Sequence, residues 1–207
     1  MTTAATLPRR TPPLVLADLV PGALARDIVL VIGGAGLVGL LAQVSIKLSF
    51  TPVPITGQTL GVLLTGTALG WRRGLAAMLL YAAAGLIGIP WFAGHASGYV
   101  GASFGYIVGF IVCAAACGAL AQRGAGRSLL GSVPAMIVGE ILMYGVGVTW
   151  LALDLHLSAG TAISLGLTPF LAGDAIKAAL AALLLPAAWK LARADESALP
   201  TTRSGSR

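Results

Sequence analysis

The sequence predicts an all-α fold: a polytopic membrane protein built as a bundle of six transmembrane helices. Three observations lead there. The chain is 57% hydrophobic, with a mean hydropathy of +0.91. Only 10% of its residues are charged, against roughly a quarter in soluble domains, which is too few to cover a water-facing surface. Its 13 basic residues also sort by side once six spans are drawn.

The first segment, residues 1–27, contains Arg9 and Arg10, then an apolar run over 14–20 that Asp18 interrupts and Pro21 and Gly22 follow. The run is short and acidic and lacks a small-residue cleavage site, so it is a poor secretory signal. It reads as a cytoplasmic segment with a short interfacial helix, closed by Arg26 and Asp27. The membrane domain follows over 28–192. Its six apolar stretches are 28–46, 59–71, 74–89, 104–120, 129–153 and 170–191; the second and third are short of the roughly 20 residues a span requires. The second must begin within the preceding Pro/Gly-rich loop to be long enough. Residues 161–168 are apolar but too short to span. Gly166 and Pro169 break them, which predicts a re-entrant or interfacial piece. Residues 193–207, with Asp195, Glu196 and a Thr/Ser/Gly run, form a solvated cytoplasmic tail.

The charges test this arrangement. Arg9, Arg10, Arg26, Arg72, Arg73, Arg123, Arg127, Lys190, Arg193, Arg203 and Arg207 fall on one side of the six-span drawing. Lys47 alone falls on the other, and Lys177 lies within the sixth span. Basic residues collect on the cytoplasmic side of membrane proteins. The expectation is therefore a multi-pass protein of the cytoplasmic (inner) membrane with both termini inside. The same sorting accounts for the net charge of +6 and a pI near 9.9, so no nucleic-acid partner is needed.

Small residues recur at four-residue spacing: Gly66, Gly70 and Gly74, then Gly101, Gly105 and Gly109. Ala35, Gly39 and Ala42 mark one side of the first helix. Such residues let helix backbones approach closely in lipid. The plain reading is packing inside the bundle. The sharper one is that the first helix presents Ala35, Gly39 and Ala42 to a partner membrane protein.

Polar groups in hydrocarbon are costly, so their positions carry information. Three charges lie well inside the spans: Glu140, Asp174 and Lys177. Asp174 and Lys177 are one helical turn apart on one face, near the outer end of the sixth helix. The plain reading is a self-neutralising pair with a snorkelling lysine. Two outer loops favour a pocket instead. One, 48–58, is stiffened by Pro52 and Pro54 and offers Thr56 and Gln58. The other, 89–106, combines Trp91, Phe92, Tyr99 and Tyr106 with glycines. Aromatic walls, a few placed polar groups and a buried ion pair describe a small-molecule site; an interfacial aromatic belt is the alternative for each ring. Glu140, with Tyr144 one turn on, reads either as a proton-relay acid or as a protonated group hydrogen-bonded between helices.

No GxxxxGK[ST] phosphate loop occurs. His95 and His156 lie in loops without metal-ligand spacing. Cys113 and Cys117 fit small packing residues in the fourth helix. No enzyme, metal or cofactor is expected.

Several segments together resemble the BioY family of biotin-uptake proteins, the substrate-binding S components of energy-coupling factor (ECF) transporters. They are Pro52-Val-Pro-Ile-Thr-Gly-Gln-Thr-Leu60 with Gly61; residues 81–85 with Gly88-Ile-Pro90 and Phe92; Gly101-Ala-Ser-Phe-Gly-Tyr106 with Gly109 and Phe110; and Thr168-Pro-Phe170 with Gly173, Asp174 and Lys177. The likeness runs from about residue 28 to 190. The family's usual Gly-Pro-Thr-Gly-Gly-Tyr is altered at 101–106. The resemblance implies an S-component-like six-helix fold that binds biotin from outside as its transported ligand. It also implies a transmembrane coupling protein and two cytoplasmic ATPase subunits as partners, with the first helix as docking surface.

Biotin carries a neutral ureido ring, an apolar fused ring and chain, and a carboxylate. Asp174 can accept a ureido N–H and Lys177 can donate to the ureido carbonyl. The carboxylate would then lie by the 101–106 loop, near Ser103. The reverse pose, with Lys177 on the carboxylate, is the alternative. Phe92, Tyr106 and Tyr81 would pack the rings, under a lid carrying Thr56 and Gln58. A different function class also stands: an ion-coupled secondary transporter of another small vitamin-like solute, using Glu140 or Asp174 as carrier acid.

Overall fold

A computed structural model of the chain describes residues 14–20, 22 and 24–198, with side chains as far as residue 191. Arg9, Arg10, Arg203 and Arg207 lie outside the described residues, as does the side chain of Arg193. A short 3-10 helix, Leu16–Leu19, precedes α1 (Leu24–Ala42). A small hairpin of β1 (Ser45–Ile46) and β2 (Ile55–Thr56) follows. Then come α2 (Gln58–Leu69), α3 (Trp71–Leu86), α4 (Phe104–Gln122), α5 (Leu129–Asp154), α6 (Ala159–Gly166) and α7 (Leu171–Ala198).

Each of the six apolar stretches carries a helix. Four helical segments are long and apolar enough to cross a membrane: Leu24–Ala42, Gly101–Gln122, Leu129–Asp154 and Leu171–Leu191. The helices α2 and α3 are shorter, at 12 and 16 residues. The short apolar piece before Pro169 is a helix of its own, α6, making seven α-helices among the described residues. Ser158 caps it, its side chain accepting from the N–H of Thr161 at 3.2 Å, which satisfies one of the helix's free N-terminal donors.

The hairpin departs from a purely helical expectation. It is antiparallel, with Ser45 opposite Thr56 and Ile46 opposite Ile55. Backbone N–H groups leaving a bilayer need partners. The N–H of Gly57 accordingly donates to the carbonyls of Leu41 and Val44 at 3.2 and 3.0 Å. That closes the end of α1 onto the start of α2.

Large apolar side chains line the outside of the helices. Leu24, Leu40 and Ile141 are each more than 60% exposed, as expected where the surrounding solvent is lipid. The core lies around α2, whose buried residues include Val62, Leu63, Thr65, Gly66 and Leu69. Small residues allow this centre to be dense. A Cβ on Gly66 would stand 2.6 Å from the Ala114 carbonyl oxygen, and one on Gly109 2.7 Å from that of Met143. The ridges at 66–74 and 105–109 therefore pack α2, α3, α4 and α5 against one another.

The small face of α1 is a correction. Ala35, Gly39 and Ala42 are buried inside the chain's own bundle, and a Cβ on Gly39 would meet the Trp91 ring at 3.1 Å. They hold α1 to its neighbours and are not open to a docking partner. The face of α1 left open carries Ile28, Val29, Ile32 and Leu40, with Gly33 and Gly36 clear of any neighbour.

Charged groups gather at one end. Gly70, at φ 82°, makes the one-residue turn from α2 into α3, a conformation that favours glycine. Just beyond it, Arg73 bridges Asp18 at 2.9 Å and Asp27 at 3.1 Å. Arg127, at the turn into α5, stacks over the Trp189 ring of α7 at 5.1 Å. Lys47 sits with the hairpin, beyond the far end of the roughly 28 Å length of α1.

Partial burial of the Asp18 carboxyl opposes its ionisation, but Arg73 and the N–H groups of Val15 and Leu14 outweigh it and hold its pKa below the usual value of 3.8. A group whose folded pKa is depressed adds stability above its unfolded pKa and loses it as the pH falls through the folded one. Asp18→Asn should therefore lower the melting temperature in detergent by about 1–2 °C at pH 7. That difference should shrink only as the pH falls below 3.8 and through the lower folded-state pKa; a difference that stays undiminished in acid would exclude this origin.

Candidate ligand-binding site

At the hairpin end of the bundle a cavity of about 240 Å³ opens between α2, α4, α5 and α7. Its deepest polar group is Asp174, only 3% exposed, in the first turn of α7. Lys177, one turn on, donates to Asp174 Oδ1 at 2.7 Å. Thr59 of α2 donates to the same oxygen at 2.9 Å. The hydroxyl of Tyr144 on α5 donates to Oδ2. Three helices thus converge on one carboxylate. Buried charge is tolerable in a membrane only when paired and hydrogen-bonded, and this one is both.

Phe92, Tyr106, Ile107, Phe110, Met143 and Phe170 form apolar walls above that floor. The rim comprises Lys47, Val53, Pro54, Thr56 and Ser103 with Ala93, Ala96 and Val100. The prolines and glycines of the two loops serve this shape. Phe92, 1% exposed, fits because residue 85 is glycine: a Cβ there would collide with its ring.

The structure brings together Asp174, Lys177, Gln58, Thr56, Phe92, Ser103 and Tyr106 around the cavity. Tyr81 is not on its surface. It lies fully buried behind the wall, where Gln58 Nε2 donates to its hydroxyl at 2.7 Å. The Thr56 hydroxyl donates to the other end of that amide at 2.8 Å, so Gln58 is oriented from both sides. Tyr81 also meets the Phe92 ring edge-on, with centroids 5.3 Å apart.

Thr59 and Tyr144 are the donors that the sequence did not single out for Asp174. A buried carboxylate needs more donors than one lysine supplies, which points to hydroxyls on neighbouring helices. Which helices are neighbours is decided by packing. Tyr144 turns to Asp174, and Glu140 does not share in the arrangement. Its Oε1 is buried with no hydrogen-bond partner, in a crevice between α5, α6 and α7. The expected hydrogen bond between helices at Glu140 is thus absent at that oxygen.

The two loops are tied down. Gln43 of the turn after α1 donates to the carbonyls of Gly39 and Trp91, at 2.9 and 3.2 Å, and accepts from the N–H of His95 at 3.0 Å. Thr51 donates to the Leu165 carbonyl of α6 at 2.7 Å. The Tyr106 hydroxyl donates to the Gly166 carbonyl at 2.7 Å. The segment from Gly101 to Gly105 has the Gly-x-Ser-x-Gly spacing of a nucleophile elbow. Here it is a 3-10 turn leading into α4, and Ser103 meets the Pro52 carbonyl at 3.5 Å rather than a histidine. The site is built to bind, with a paired and hydrogen-bonded Asp174 below, one acceptor position still open on its Oδ2, and a rim of loops above.

A lipid-exposed helical bundle enclosing an apolar cavity with a neutralised ion pair defines a membrane protein that captures a small molecule. The BioY family profile matches residues 9–194, and the chain belongs to the BioY family. It is 38% identical over 172 residues to a biotin transporter BioY of Rhizobium etli, covering 77% of this chain and 90% of that one. It is 37% identical to a biotin transporter BioY2 of Lactococcus lactis, over 71% of this chain and 81% of the other. It is similar in structure to the S-component for biotin from an ECF-type ABC transporter, solved at 2.1 Å, with a TM-score of 0.73 and 25% identity, covering 80% and 92% of the two chains. The family is one of transporters, not enzymes.

Gln43 is the main tie between α1 and the loop carrying Phe92. Gln43→Ala should speed amide hydrogen exchange at residues 91–96 while leaving the middles of α4 and α5 unchanged. Unaltered exchange in that loop would show that the tie is dispensable.

Proposed function

We propose that this protein binds biotin in the cavity beneath its two loops, as the substrate-specific S component of an ECF-type transporter. The observation that carries this is the Asp174–Lys177 pair with its two hydroxyl donors at the closed end of an apolar cavity. The names of the relatives support it from a second direction.

The ureido ring lies at the floor. Asp174 has one lone-pair position left on Oδ2 after its three donors, since a carboxylate offers about four, and it accepts one ureido N–H there. Lys177 keeps N–H groups for the ureido carbonyl. The apolar ring and chain pack between Phe92, Tyr106 and Phe110, and the carboxylate points to the rim. A neutral head group suits this floor because the ion pair there is already balanced.

The six spans are α1 to α5 and α7, over a membrane domain of 28–192, with α6 lying at the outer surface. Both termini face the cytoplasm. The arginine-rich turns at one end and the cavity at the other support that orientation. A transmembrane coupling protein and two cytoplasmic ATPase subunits supply the energy, consistent with a chain that has no phosphate loop of its own.

Denaturing protein purified without added ligand and analysing what it releases by mass spectrometry tests the ligand directly: biotin is expected. In binding titrations, Asp174→Ala and Lys177→Ala should each weaken biotin by roughly 2 kcal/mol, about 30-fold, as the loss of a buried charge-assisted hydrogen bond. Unchanged affinity in both folded variants would remove this site.

A further inference from the structure

The polar groups of the cavity are unequal in charge. At the floor, Lys177 and Asp174 neutralise one another at 2.7 Å, and Thr59 and Tyr144 also donate to the carboxylate. An anionic ligand group there would face Asp174 as closely as Lys177, and two carboxylates in one dry site repel. The rim is different. Lys47 lines it just after β1 and is exposed. Among the described residues no acidic side chain forms an ion pair with Lys47. Its stem reaches over the mouth towards the opposite loop: Lys47 Cε lies 3.9 Å from where a Cβ on Gly94 would stand. Ser103, with a hydroxyl, lines the same rim.

The cavity therefore runs from a balanced polar floor, through aromatic walls, to an unbalanced cation at its mouth. That sequence of polarities fits a molecule with a neutral hydrogen-bonding head, an apolar middle and an anionic tail.

We propose that Lys47 binds the ligand's terminal carboxylate and makes the site select the acid over its neutral amide. This rests on the biotin reading above and adds which cation reads the tail. Lys177 serves the head group and is indifferent to the state of the tail. Because Lys47 is exposed, the attraction is moderate and is screened by salt.

The test is calorimetric or fluorescence titration of the purified full-length protein with biotin and with biotin carboxamide. The wild type is expected to bind the acid roughly fivefold more tightly than the amide, and the gap should narrow in 0.5 M salt. Lys47→Met should bring the acid down to the amide's affinity while leaving the amide within about twofold of its wild-type value. Lys47→Arg should keep most of the preference. Lys177→Gln should weaken both ligands together and preserve their ratio. A full acid preference in Lys47→Met, or its loss in Lys177→Gln, would overturn the assignment to Lys47 while leaving the biotin reading intact. Failure of the wild type to bind either ligand would overturn the biotin reading itself, and the role of Lys47 with it.

Discussion

The carboxylate of Asp174 is the group on which the site depends. An ionised carboxyl that is 3% exposed inside a membrane protein cannot persist without compensation. Its donors come from α2, α5 and α7. Satisfying one side chain therefore fixes the relative position of three helices at the hairpin end. Removing a single partner from a buried pair generally costs about 3–5 kcal/mol, because the remaining charge is left without support. The same requirement explains why the ion pair sits at the first turns of α7, where the helix emerges from the 167–170 break, and why hydroxyls rather than further charges surround it.

A centre of this kind is compatible with lipid only if the helices approach closely. The glycines at 66, 74 and 109 supply that closeness, since each stands where a larger residue would meet a neighbouring backbone. Packing of small residues supplies the association that the hydrophobic effect cannot provide between helices in lipid. The consequence is that α2, although short, becomes the hub. It is buried along nearly its whole length and carries Gln58 and Thr59 to the cavity from its first turn.

Above the hub, the loops are shaped by constraint more than by regular structure. Gln43, Thr51 and Tyr106 use side-chain bonds to loop or α6 carbonyls in place of a backbone ladder. Phe92 is wedged in by the absence of a side chain at Gly85. The rim is thereby held in contact with the helices without being rigid secondary structure, which suits a mouth that must admit and release a ligand. Polarity divides along the same axis, with neutralised charge deep inside and a free lysine at the surface.

Much of this was legible in the chain itself. Hydropathy located a helix in each of the six apolar stretches, and bilayer thickness explains the length of the four that are long enough to cross a membrane. The scarcity of charge made Asp174 and Lys177 stand out, and their three-residue spacing placed them on one face by helical geometry alone. Proline, glycine and aromatic residues marked both loops. Tertiary structure alone decided the rest. That Tyr144 serves Asp174 and not Glu140, that Thr59 joins it across 115 positions, and that Tyr81 stands behind Gln58 instead of on the cavity surface all depend on which helices touch. For the small face of α1, packing inside the bundle and docking to a partner both stood open in sequence, and burial of Ala35, Gly39 and Ala42 decided for packing, because four-residue spacing specifies a face but not what covers it. Local periodicity is written along one helix, whereas the partners of a buried polar group belong to other helices and are settled only when the bundle closes.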